Sequence, residues 1–181
     1  MEIKELSIKG CYLISPTVFK DSRGEFIKTF NADIYSGHGL DLDFKEEYYS
    51  VSHKGVLRGL HFQAPPHDHV KMVYCVKGAV FDAFVDLRKN SPTYKKHLTI
   101  ELSEGNNNIL ILAKGIAHGF LSLEDDTLMI YKTSTVYQPQ NDAGILWNSV
   151  DIKWPSLVDV DLISERDMSF QKSSEFKTPF N

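Results

Sequence analysis

A chain of 181 residues, 42% of them hydrophobic, can bury the core of one domain without disulfides or structural metals. Twenty basic against 24 acidic residues give a formal net charge of −4, which argues against broad electrostatic capture of nucleic acid or of an anionic membrane, so any anion must be held by a local cluster. Seven prolines spread along the chain discourage long helices, whereas 11 Phe and 8 Tyr lean toward strands.

Residues 3 to 15 read as one or two strands with Gly10 at a turn or bulge, and the opening MEIKELSIKG is too polar for a secretory signal. Phe19 and Phe26 flank an acidic-basic turn carrying Arg23 and Gly24, a pattern that fits either an exposed loop or a ligand rim. A short helix capped by Asn31 is expected before Gly37 and Gly39. From Glu47 strands follow closely. Residues 55 to 71, GVLRGLHFQAPPHDHVK, hold Arg58, His61, His67, His69 and Lys71, open as a strand, break at Pro65-Pro66 and resume from Met72. Cys75 lies in that apolar run, where a buried, reduced thiol is expected; neither it nor Cys11 has metal-ligand spacing, and no apolar run reaches membrane-spanning length, so a cytoplasmic protein is expected.

In residues 79 to 87 the alternation is clearest: Ala79, Phe81, Ala83, Val85 and Leu87 share one face, Asp82 and Asp86 the other. Turns at 89–93, 105–108 and 124–126 separate further strands at 97–102, 109–112, 117–123 and 128–133, a meander or Greek-key rhythm without internal repeat or linker. The last of these places Met129, Tyr131 and Thr133 on one face and Lys132 on the other; Tyr131 is then a core or a cavity residue. After Pro155 the chain is more polar; Ser164 to Asp167 can cap a short helix, and weak order is expected beyond Ser173. The expectation is a single, mainly β domain over residues 1–181: a jelly-roll barrel with short peripheral helices and a tail from about residue 156.

Two histidine segments facing a barrel-like sheet, RGLH at 58–61 and KGIAHGF at 114–120, suggest the cupin jelly roll. Metal-binding cupins combine His-x-His and a downstream Glu with a later His, and His67-Asp68-His69 matches superficially. No Glu follows before Gly78, however, and Lys71 would present an ammonium to a cation, so no metal is expected. Strict alternation sets Arg58 and His61 on opposite faces; one cavity receives both only if Gly59 marks a bulge or an anion lies at the rim.

With GVLRGLHFQ at 55–63, VDLRKNSPT at 85–93, KGIAHGF at 114–120, YK at 131–132, Trp147 and IKWP at 152–155, the chain resembles the dTDP-4-dehydrorhamnose 3,5-epimerases over nearly its whole length. The resemblance implies a cofactor-free cupin homodimer, with the N-terminal strands at its interface, that epimerises a nucleotide-linked 4-keto-6-deoxyhexose at carbons 3 and 5. It implies His61 as base, Asp167 as the base's carboxylate partner, Tyr131 as proton donor on the opposite face and Lys71 beside the keto oxygen. Arg58 and Arg23 match diphosphate contacts, His118 and Trp147 pocket residues, and Phe19 and Phe26 the nucleotide entrance, Arg23 and Phe26 completing a neighbour's site. Where the family reads the nucleotide base this chain carries Lys28, Glu46 and Tyr48, and His67 and His69 replace a Gln-rich stretch. Another nucleotide, a modified sugar, or epimerisation at one carbon therefore stay open, as does, from a different class, a non-catalytic cupin that binds a nucleotide or glycan.

Overall fold

The computed structural model describes residues 1–181 and contains thirteen strands and two short helices. In chain order they are β1 (Glu2–Glu5), β2 (Tyr12–Ser15), β3 (Val18–Asp21), β4 (Gly24–Ile27), α1 (Ala32–Gly37), β5 (Glu46–Ser52), β6 (Leu57–Gln63), β7 (Lys71–Lys77), β8 (Ala79–Asp86), β9 (His97–Ser103), β10 (Ile109–Leu112), β11 (Ile116–Ser122), β12 (Thr127–Thr133), β13 (Asp142–Gly144) and α2 (Glu165–Met168). One six-stranded sheet runs β1-β2-β10-β7-β12-β5, and a five-stranded sheet runs β13-β6-β11-β8-β9. All pairings within them are antiparallel, and the order is that of a jelly roll. The expected cap of α1 is present, with the Asn31 side chain accepting from Ile34 N–H at 3.1 Å. Gly10 sits at positive φ in the turn between β1 and β2.

The space between the sheets is filled by residues from both: Val73, Cys75, Leu110 and Met129 from one, Val80, Phe84, Ile116 and Phe120 from the other. Side chains on the opposite pleats of β7 and β12, such as Met72, Tyr74 and Ile130, instead pack under α1 with Tyr35 and Leu40. The Ala83 and Val85 face of β8 also points outward, where it is covered by the C-terminal segment through Phe176 and Phe180. The most regular apolar alternation in the chain thus belongs to the outside of the barrel, and Asp82 is on the pleat that faces in.

That C-terminal segment differs from the expectation of weak order beyond Ser173. Phe180 is 5% exposed, its ring meets Phe62 edge-on at 5.5 Å, Lys89 N–H donates to its carbonyl, and the Thr178 hydroxyl donates to the Leu87 carbonyl. Two aromatic anchors in a polar tail offset the ordering entropy that its composition would otherwise leave unopposed. Phe180→Ala is expected to cost about 3 kcal/mol through the cavity left beside Phe62. Denaturant unfolding of wild type and variant checks this, and an unchanged midpoint would show that the anchor is dispensable.

One irregularity in β6 decides what the barrel mouth contains. His118 of β11 pairs with His61, but Phe120 pairs with Arg58, so three steps on β6 are matched by two on β11. Gly59 absorbs the extra residue at φ +136°, and a methyl group there would lie 2.5 Å from Gly119 Cα. A bulge at a glycine pair therefore turns Arg58 and His61 toward the same cavity, resolving the conflict that strict alternation poses.

Candidate active site

A cavity of about 380 Å³ opens between the two sheets. The five-stranded sheet contributes Arg58, His61, Gln63, His118 and Asp142; the six-stranded sheet contributes Glu46, Tyr48, Ser50, Lys71, Tyr131 and Thr133. His69, Thr135, Tyr137 and Arg166 complete its polar wall. His61 and Tyr131 thus face one space from opposite sheets.

His61 Nε2 lies 2.8 Å from Asp167 Oδ1. Asp167 is 3% exposed and belongs to α2, whose cap Ser164 accepts from its backbone N–H at 3.1 Å. Its other oxygen accepts from Gly59 N–H at 3.0 Å. Burial alone would raise the Asp167 carboxyl, but the hydrogen bonds from His61, Gly59 and Ser164 outweigh it and hold the group below the usual carboxylate range. An ionised Asp167 accepts from Nε2–H, which leaves Nδ1 as the nitrogen that can take a proton. His61 itself is pushed down, burial being the largest cause and the Asp167 contact opposing it, so the imidazole is neutral at neutral pH.

On the facing sheet, Tyr131 is 6% exposed, its hydroxyl 3.0 Å from Ser50 Oγ and its ring stacked on Tyr48 at 4.8 Å and 11°. Burial raises its phenol, which therefore keeps its proton. Lys71 is buried beneath the same space and lowered by that burial to about 8, with Asp82 and Asp142 opposing the shift, so the ammonium form dominates at neutral pH. Lys132 points to the other side of β12 and pairs with Glu47, as alternation requires.

His118, 3% exposed, bonds Asp82 Oδ2 at 2.7 Å, and Asp82, wholly buried, keeps Oδ1 without a partner. Arg58 lies at the rim and reaches across the mouth, its Nε donating to Ser52 Oγ at 3.1 Å. Glu46 accepts from Tyr137 N–H at 2.6 Å. His67-Asp68-His69 does not converge with other such side chains into a set of three able to hold a metal ion.

Four sequence-predicted residues stand elsewhere. Trp147 packs on Trp154 over the outer face of the five-stranded sheet, with Leu57 and Leu121, outside this cavity. Phe19, Arg23 and Phe26 lie on the β3–β4 hairpin outside this cavity, the two rings 59% and 62% exposed and Arg23 held by Asp21 at 2.6 Å. Sequence reasoning missed Ser50, Gln63, Asp142 and Arg166. Arg166 was within reach of it, adjoining Asp167 in the SERD segment; it donates to Asp142 at 2.7 Å. For Ser50 and Asp142 no local signal separates a cavity residue from a solvated one.

Residues 5–175 match the family model described as dTDP-4-dehydrorhamnose 3,5-epimerase. The chain is 41% identical to a protein of that name from Methanothermobacter thermautotrophicus, over 93% of this chain and 92% of the relative. It is similar to the dTDP-4-dehydrorhamnose 3,5-epimerase of Bacillus anthracis solved with TDP and pyrophosphate bound, at 35% identity and a TM-score of 0.89, covering 93% of this chain and 97% of that one. A dTDP-6-deoxy-D-glucose-3,5-epimerase from Legionella pneumophila, solved with dTDP-4-keto-L-rhamnose, has 31% identity and a TM-score of 0.92, covering 99% and 98%.

Proposed function

The chain belongs to the dTDP-4-dehydrorhamnose 3,5-epimerase family, and from that premise we propose how its residues divide the reaction. The protein is an isomerase that epimerises a nucleotide-linked 4-keto-6-deoxyhexose at carbons 3 and 5 in deoxysugar biosynthesis. Both carbons are α to the carbon 4 ketone, so one carbonyl activates both. His61 Nδ1 removes the α-proton, the C–H electron pair moves into an enolate on the carbon 4 oxygen, and Asp167 stabilises the imidazolium. Lys71 stabilises the enolate charge. Tyr131 delivers a proton to the opposite face as the electron pair returns to carbon, and water restores both residues.

The observation that carries this reading is the placement of a neutral imidazole and a protonated phenol on opposite sheets across one cavity. Inversion needs two faces, since a single base returning its proton to the same side restores the starting configuration. Arg58 at the rim is suited to the diphosphate. We propose a dTDP-linked substrate from the relatives named above, with Glu46 and Tyr48 among its contacts. The exposed Phe19, Arg23 and Phe26 and the edge strand β1 support a homodimer in which the hairpin reaches the partner's cavity. Two buried, unpaired thiols, Cys11 and Cys75, support a reducing, cytoplasmic setting. No helix is long and apolar enough to cross a membrane.

Incubation with dTDP-4-dehydro-6-deoxyglucose in D₂O tests the reaction. The product followed by NMR is expected to carry deuterium at both carbons 3 and 5 with both configurations changed. Deuterium and inversion at one carbon alone would replace the double epimerisation with a single one.

A further inference from the structure

His69 and Gln63 are not used by the mechanism above, yet both line the cavity. Gln63 is 4% exposed, and its two ends are distinguished by backbone groups. Gln138 N–H donates to Oε1 at 2.6 Å, which turns the amide nitrogen the other way, where it donates to the His67 carbonyl at 2.9 Å. The same nitrogen lies 3.2 Å from His69 Nδ1. An amide nitrogen only donates, so Nδ1 accepts and the proton of the neutral ring sits on Nε2. The second amide hydrogen is shared with Thr135 Oγ1 at 3.2 Å and the Val136 carbonyl at 3.4 Å, while the Thr135 hydroxyl donates to the His67 carbonyl at 3.0 Å and lies 3.5 Å from Nδ1, so the donor-only amide nitrogen remains the nearest neighbour of Nδ1. Protonating Nδ1 would set two donors against each other. Burial, together with the charges of Lys71 and Lys114, also drives the ring down to about 3, so it is neutral throughout the physiological range.

No protein acceptor engages Nε2–H, and His69 stands two residues before Lys71 on the same face of an extended segment, both side chains lining the cavity. Beside a buried ammonium, a neutral donor adds a hydrogen bond without adding like-charge repulsion. An oxygen that gains charge only during the reaction is stabilised best by donors already in place before it forms.

Resting on the epimerase reading, we propose that His69 is a second catalytic donor beside Lys71, its Nε2–H bonding the carbon 4 oxygen as the enolate forms, and that Gln63 is the positioning residue that selects this tautomer. Removing one such donor lowers kcat by about 10²–10³-fold in comparable sites. For His69→Phe acting on dTDP-4-dehydro-6-deoxyglucose, kcat is expected to fall about 100-fold with KM changed only a few-fold, and His69→Gln, which restores a neutral donor, to recover part of it. Long-range ¹⁵N–¹H correlation of histidine-labelled protein is expected to show His69 as the Nε2–H tautomer, and Gln63→Leu to remove that preference while leaving the His61 signals in place.

A raised KM with unchanged kcat would make His69 a ground-state contact and overturn the catalytic assignment. A kcat within twofold of wild type in both folded His69 variants would do the same. An Nδ1–H tautomer in the wild type would overturn the positioning role of Gln63. Wild-type protein that neither turns over nor exchanges this substrate would overturn the epimerase reading instead, and the tautomer measurement would still decide the part played by Gln63.

Discussion

Replacing His61 with Ala is expected to abolish turnover and solvent exchange together while leaving binding of the nucleotide sugar in place. Nδ1 of His61 is the ring nitrogen left free to take a proton, because Nε2 is held by the ionised Asp167 at 2.8 Å. A correctly placed general base contributes about 10²–10⁴-fold, and without one no group remains to break the α-C–H bond. Under the proposed function binding is assigned instead to Arg58 and to the aromatic wall, which the substitution does not touch. Calorimetric titration with dTDP separates the two effects. Because His61→Ala leaves the buried Asp167 short of a donor, His61→Asn, which offers an amide in place of the ring, controls for a disturbed fold. Exchange near the wild-type rate in either folded variant would show that another residue is the base and would remove the mechanism built on His61.

Tyr131→Phe is expected to fail in a different way, with exchange outlasting inversion. The substitution keeps the ring stacked against Tyr48 and removes only the hydroxyl, together with its contact to Ser50. His61 can still form the enolate, so deuterium enters at carbon 3 or 5, but it returns from the side on which it left. Inversion should drop by about 10²–10⁴-fold, the usual worth of a placed acid, while exchange survives in large part. NMR of the recovered substrate reads both quantities in one sample. Equal loss of the two would mean that Tyr131 acts before the enolate forms; full inversion by Tyr131→Phe would assign the proton return to another group.

Both tests depend on residues that sequence reasoning could name, and the reason is chemical. A strand of alternating polarity identifies its own two faces, so Tyr131 and Lys132 separate without any tertiary information, and the structure keeps them apart. The cap of α2 was equally readable, since Ser164 three residues before Asp167 is a local arrangement. Trp147 shows where a motif stops being informative: its position after β13 is part of a recurrent pattern, but its ring serves packing against Trp154 rather than the cavity. The tail misled for the opposite reason, because composition weighs every polar residue and cannot see that Phe176 and Phe180 have a surface waiting on β8 and Phe62.

By itself the sequence determined a β-rich single chain, its turns, the strand faces and the residue types that acid-base chemistry needs, because each follows from local sterics or from period-two patterning. Only the tertiary structure decided which face of β8 looks inward, since an apolar pleat fits the barrel interior and the underside of a covering segment equally well. It alone decided that the bulge at Gly59 brings Arg58 round to the side of His61, because register depends on the partner strand β11 and not on β6. It also joined Gln138, Gln63 and His69 into one hydrogen-bonded chain whose members lie up to 75 residues apart, a distance over which no local pattern acts.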